Sequence, residues 1–123
     1  MTDSIARDNY VHNEEQCIFV SQSHDNEVYN NKVSNCGNSI YLKSEASNNS
    51  IFNNMVQNVN GSAILLNDGH LINSVYSNTI VNPSSEEEPI NNEDQENNMI
   101  KDNDIIQAPS STLLICNNST NDD

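Results

Sequence analysis

Positive charge is nearly missing from this chain. Four Lys plus Arg stand against eighteen Asp plus Glu, leaving a formal net charge of −14 over 123 residues. A polyphosphate backbone or an anionic bilayer surface would be repelled, which excludes nucleic acid and membrane as partners. Long apolar runs are missing too, since none approaches the roughly 20 residues a spanning helix needs. The opening "MTDSIARDNY" lacks the charged-then-apolar layout of a signal peptide. There is no tryptophan, and Cys17, Cys36 and Cys116 are an odd number at unrelated spacings. They match neither a zinc pattern nor a disulfide framework, so buried or inert thiols are expected and no redox compartment follows from them. The length suffices for one domain and one core.

What is abundant is asparagine, at about a fifth of all positions. Such a bias ordinarily points to disorder, but here its spacing is ordered. Set above "NSIFNNMVQNVNGSAILLN" from Asn49, the stretch "NEVYNNKVSNCGNSIYLKS" from Asn26 agrees at nearly every station, with Gly37 falling on Gly61 and Leu42 on Leu66. Extended both ways, the pattern gives three aliphatic columns. These are Ile5, Val28, Ile51, Val75, Ile100; then Val11, Val33, Val56, Ile80, Ile105; then Ile18, Ile40, Ile64, Ile90, Leu114. One asparagine column runs through Asn9, Asn31, Asn54, Asn78 and Asn103, and a second through Asn13, Asn35, Asn58 and Asn82.

A step of 22 to 26 residues is too short for paired-helix repeats, and β-branched stations separated by short Asn, Ser and Gly segments favour strands and turns. The predicted fold is all-β, a right-handed parallel β-helix of about four and a half coils, each laying three strands along three sheets. Asparagine suits both tight left-handed corners and ladders of side-chain amides bonded from coil to coil. Aspartate at Ile51 or Ile64 is expected to disrupt the stack, whereas Asn49→Ser is expected to change little.

The N-x-I-x-N-N-x-V-x-N phrases of these two stretches resemble the carbohydrate-associated parallel β-helix repeats shared by NosD-type periplasmic proteins and mannuronan 5-epimerases. The resemblance runs from Ser4 to Cys116. It implies a secreted or cell-surface setting and a polysaccharide partner, but the repeat specifies fold far more than activity. The epimerases' Asp-Pro-His motif has no counterpart, since neither His12 in "DNYVHNEE" nor His24 in "SQSHDNE" follows Asp-Pro. The pattern also begins in mid-phrase at Asp3 to Ile5 without a capping helix, as in the C-terminal coils of a longer protein.

Strand alternation sends neighbours to opposite faces. With Val28, Ile51 and Val75 inward, Tyr29, Phe52 and Tyr76 form an outward aromatic ladder, and Phe19 and Tyr41 form an outward pair on another sheet with Lys43 beside it. Such rings provide a platform for sugars, or simply stack on one another and shield the strands, and Lys43 suits a uronate carboxylate. Epimerisation or elimination on a polyuronate needs a cation, a base and a proton donor. Arg7, Tyr10, His12, His24, Tyr41 and Lys43 are the right types, with His12, Tyr41 and Lys43 the catalytic candidates, yet His12 and Lys43 fall on different sheets by this register.

The acidic insertion 84–96, "SSEEEPINNEDQE", lengthens the fourth coil, places Asn92 where Leu42 and Leu66 stand, and carries Pro89 as in a frayed strand. It holds no Asp-x-Asp-x-Asp-Gly loop, so no metal or cofactor site is read, with Ca²⁺ the one cation it would suit. Sequons at Asn48, Asn60, Asn117 and Asn118 identify no compartment. The expectation is one β-helix domain over 1–116 with a disordered tail over 117–123. It is either a carbohydrate-interacting solenoid without its own catalysis or a structural module of a surface or phage-fibre protein. Its open coil edges offer a route to end-to-end self-association.

Overall fold

The computed structural model describes residues 2–67, 72–93 and 98–107, and among them there is no helix. Fourteen short strands are laid down in repeating threes. The first coil holds β1 (Ile5–Arg7), β2 (Tyr10–His12) and β3 (Gln16–Ser21). The second holds β4 (Glu27–Tyr29), β5 (Lys32–Ser34) and β6 (Asn38–Lys43), and the third β7 (Ser50–Phe52), β8 (Met55–Gln57) and β9 (Ile64–Leu66). The fourth holds β10 (Ser74–Tyr76), β11 (Thr79–Val81) and β12 (Ile90–Asn92), and a fifth contributes β13 (Met99–Lys101) and β14 (Asp104–Ile106). Every pairing is parallel, between a strand and its counterpart one coil away, giving sheets β1-β4-β7-β10-β13, β2-β5-β8-β11-β14 and β3-β6-β9-β12. This is the parallel β-helix read from the period.

Most strands are three residues long because only their central side chain points inward. Val28, Ile51 and Val75 stack in one sheet, Val33, Val56 and Ile80 in the next, and Ile40 and Ile64 with Leu42 and Leu66 in the third, all buried. The first column needs one correction. Ala6, not Ile5, pairs with Val28, while Ile5 pairs with Glu27 and is exposed. The inward station of the first coil is therefore filled by a methyl group, and the bulkier neighbour lies outside. In the third sheet Asn92 does sit on Leu66, and the strand that follows Pro89 is formed, the Pro89 carbonyl accepting from Ile64 N–H at 3.0 Å. Leu114 and the tail lie outside the described residues, as does the end of the acidic insertion.

The corners divide two tasks that the sequence reading gave to the same asparagines. Left-handed backbone angles fall on Asn13, Asn35, Asn58 and Asn82 after the second strand, and on Asp8, Asn30, Asn53, Ser77 and Asp102 before it. Residues with short polar side chains accept that conformation at low cost. The residue after each of the latter, Asn9, Asn31, Asn54, Asn78 or Asn103, forms the ladder instead. The backbone N–H and Nδ2 of each donate to Oδ1 of the next at 2.9–3.0 Å. From Asn31 onward, Nδ2 also donates back to a strand carbonyl of the coil before.

A second ladder, absent from the sequence reading, runs through Asn26, Asn49, Asn73 and Asn98, with Ser4 N–H donating into its first member. The expectation that Asn49→Ser changes little is thereby overturned. Asn49 is 1 % exposed, and its Oδ1 accepts from both Asn26 N–H and Asn26 Nδ2.

Cysteine supplies a further correction. Cys17 and Cys36 form a disulfide at a sequence separation of 19, tying the first coil to the second. Cys116 lies outside the described residues. Gly37 and Gly61 have no positive φ; they are needed for clearance. A Cβ on Gly37 would meet the Glu15 carbonyl oxygen at 2.6 Å, and one on Gly61 would meet Asn38 Oδ1 at 2.5 Å.

Two stability measurements check this account. In urea unfolding, Asn54→Ala removes the acceptor for Asn31 N–H and Nδ2 inside the stack, and is expected to cost about 3 kcal/mol at roughly 1–3 kcal/mol per unsatisfied buried group. Asn49→Ser is expected to fall in the same range, because the shorter hydroxyl cannot take both donors. Asn58→Ala, at an exposed left-handed corner, should cost only about 1 kcal/mol. Replacing Cys17 and Cys36 together by serine should lower stability by about 3 kcal/mol through the freed loop, and a reductant should do the same to the wild type but nothing to that variant.

Candidate functional site

The outward positions at the ends of β4, β7 and β10 carry Tyr29, Phe52 and Tyr76. Their rings stand nearly parallel, with centroids 4.8 and 5.1 Å apart and interplanar angles of 9° and 3°. The predicted ladder is present, and its geometry sets what it can offer. Inter-strand spacing places each ring against the next, so the faces of Phe52 are both occupied and the strip presents ring edges to solvent. Sheet register puts Arg7 beyond Tyr29 and Lys101 beyond Tyr76. The Arg7 guanidinium itself lies 3.3 Å from the Asp8 carboxylate.

On the third sheet Phe19 and Tyr41 are neighbours at 5.3 Å, tilted by 56°. Phe19 is 47 % exposed, whereas Tyr41 is only 8 % exposed and its hydroxyl accepts from Asn67 Nδ2 at 3.3 Å. Tyr41 thus faces outward by register yet is largely covered. Lys43 pairs with Ser21, placing it diagonally from Phe19.

The three catalytic candidates are split between sheets. Tyr41 and Lys43 belong to β6 in the third sheet and His12 to β2 in the second. His12 stacks on Tyr10 at 4.6 Å, and Lys32 Nζ lies 5.6 Å from the Tyr10 centroid. This small Tyr10–His12–Lys32 group escaped the sequence reading, although the signal was there. Tyr10 and His12 flank Val11 on one face, and the register of Val11 on Val33 places Lys32 beside Tyr10.

At the corner before the first sheet, His24 Nδ1 lies 2.8 Å from Asp25 Oδ2, and Asn48 donates to the other carboxylate oxygen. The His24 bond, then the Asn48 bond, hold the Asp25 carboxyl below the usual carboxylate range. An open groove of about 400 Å³ runs past this corner and is lined by Asp3, Asp25, Glu27 and Asn48 among others. Its acidic walls would oppose a polyuronate, and no lysine or arginine lines it.

The whole chain, residues 1–123, matches the sequence profile of a family described as "Periplasmic copper-binding protein (NosD)". Neither curated proteins nor solved structures show a significant match to it. Copper takes thiolate, thioether and imidazole donors, and the described residues do not gather them. Cys17 and Cys36 are bonded to each other, Met55 and Met99 lie on strands of different sheets, and no three His, Cys, Asp or Glu side chains come together to hold a metal. His70 and Cys116 are outside the described residues. The donor set described here therefore does not fit a copper centre, whereas the full-length match and the parallel coils agree with each other: the chain belongs to the NosD family.

Proposed function

We propose that this chain is a noncatalytic β-helix module of a periplasmic or cell-surface protein, a rod that holds its shape and carries columns of outward side chains. The observation that carries this reading is the face-to-face stack of Tyr29, Phe52 and Tyr76. Rings whose faces meet each other are spent on the solenoid's own stability, and a sugar ring has no free aromatic face to lie on in the middle of that strip. The separation of His12 from Tyr41 and Lys43 supports the absence of catalysis, as does the absent Asp-Pro-His motif. Likeness to the mannuronan epimerases then rests on the repeat alone. The family's description supports a periplasmic setting, and a Cys17–Cys36 disulfide suits an oxidising compartment.

A second reading, contact with a carbohydrate chain, is favoured by Phe19. This ring is the one outward aromatic of the third sheet with a large exposed area, it stands on the outermost described strand of that sheet, and Lys43 is diagonal to it. An aromatic face beside a lone cation suits a sugar carrying a carboxylate.

One titration separates the two. Polymannuronate and neutral oligosaccharides, with and without Ca²⁺, are added to the chain and followed by NMR of both protein and polymer. The rod reading expects no glycan-dependent shifts and no new guluronate or unsaturated signals. Saturable shifts at Phe19 and Lys43 that vanish in Phe19→Ala would establish the second reading, and altered sugar signals would overturn the noncatalytic one. Phe52→Ala is expected to lower stability by about 1–3 kcal/mol through two lost ring contacts without changing any glycan response.

A further inference from the structure

We infer that the two ends of the described solenoid are complementary docking faces, and that the partner of each is the opposite end of a second copy of this chain. The inference deepens the rod reading and rests on it. Its basis is the polarity of the coil interfaces, which repeat one pattern from coil to coil. Backbone N–H groups of Glu27, Ser50, Ser74 and Met99 donate to the carbonyls of Ser4, Asn26, Asn49 and Asn73 at 2.8–2.9 Å. Those of Lys32, Met55, Thr79 and Asp104 donate to Asn9, Asn31, Asn54 and Asn78 in the same way. Side-chain ladders run in the opposite sense, each Asn N–H donating forward to Oδ1 of the next coil.

The first and last coils each hold half of this pattern. Ile5 and Tyr10 occupy the donor stations, but among the described residues no strand precedes β1 or β2, and no donor reaches Asn9 Oδ1. At the other end the stations that would accept from Ile5 and Tyr10 are the carbonyls of Asn98 and Asn103. The N–H of Asn103 lacks the Oδ1 that its counterparts in earlier coils have. What one face lacks the other presents, in the same order and at the same spacing. A copy seated in this register places Ile100 on Ala6 and Ile105 on Val11, continuing two core columns.

Apolar exposure is concentrated at the same places. Of eight large hydrophobic side chains exposed among the described residues, six lie on the outermost strands. Ile5, Tyr10 and Phe19 belong to the first coil, and Met99, Ile105 and Ile106 to the last. A contact of unlike faces does not close, so it generates an open series rather than a dimer.

Charge opposes the contact and makes it conditional. The register brings Lys101 to Arg7 and Asp102 to Asp8, between molecules that each carry −14. Repulsion of this kind between exposed groups is screened within about 10 Å at 0.1 M salt, so stacking should strengthen with ionic strength.

Analytical ultracentrifugation of the full chain tests this, over a concentration series at about 0.02 M and about 0.5 M salt. The expected result is a weight-average mass near 13.7 kDa at low salt that climbs past twice that value at high salt without levelling at the dimer. Two variants give direction. Tyr10→Pro removes an edge donor at the first coil, where proline is tolerated, and Ile105→Lys places a charge on the last. Each alone should stay monomeric, with an unchanged circular dichroism spectrum, while an equimolar mixture should form dimers and stop there. A wild type that remains monomeric at every salt and concentration would overturn the inference, including the case in which residues beyond 107 cover the last coil. Dimerisation of either variant alone would overturn it in favour of like-end pairing. Neither result would touch the rod reading, which stands or falls on the glycan titration.

Discussion

Everything in this fold depends on one repeated hydrogen-bond arrangement, an asparagine Oδ1 that accepts both the backbone N–H and the Nδ2 of the asparagine one coil earlier. At a corner the chain leaves one sheet before it enters the next, so its backbone N–H has no strand partner, and burying it unpaired would be costly. The carboxamide has the reach and the two lone pairs to accept both donors, and its own N–H₂ passes the pattern on. Two such ladders frame the first sheet. They set the coils in register, and the aliphatic columns then fill the space between them. Three-residue strands would be too short to fix register on their own; with the ladders at their ends, that length is sufficient.

The same arrangement constrains what the outer surface can do. A three-residue strand offers one side chain to the core and two to solvent, and each solvent position recurs one coil later beside its equivalent. Functional groups on such a body are therefore gathered in columns along the axis, and groups on different sheets stay apart. Tyr29, Phe52 and Tyr76 are brought together because they share a column, whereas His12 and Lys43 are not because they lie on different sheets. An active site with acid, base and cation would need a column, or two adjacent ones, carrying all three. Arg7, Tyr29, Phe52, Tyr76 and Lys101 make up the richest column, and it holds rings flanked by cations with no carboxylate or imidazole.

Much of this was legible in the sequence because a solenoid writes its period directly into the chain. Val33, Val56 and Ile80 recur where the register places them, and the ring ladder followed from alternation alone. The failures have physical causes. Ile5 was chosen over Ala6 because hydrophobicity ranks isoleucine higher, yet the first coil has no coil beneath it to bury a large side chain. The Asn26–Asn49–Asn73 ladder was hidden by doublets such as Asn48-Asn49 and Asn53-Asn54, in which one member takes the left-handed corner and the next turns inward. Composition cannot tell the two apart, but position relative to the aliphatic station can. The Cys17–Cys36 pair has no spacing motif because its partners are neighbours only through the coil period. Tyr41's burial depends on what packs over the outer face of the third sheet, and period-2 alternation says nothing about that.

A quasi-one-dimensional body also divides its energetics in a particular way. Stability comes from interfaces between neighbouring coils, and a coil at either end has only one. The described structure answers this asymmetrically. The first coil, with a methyl group at Ala6 and serine in place of asparagine at Ser4, is the weakest filled, and it is this coil that the Cys17–Cys36 disulfide ties to the second. The covalent link thus stands where non-covalent packing is thinnest. Coils two to four, with both neighbours present and continuous Val, Ile and Asn columns, have no disulfide among the described residues.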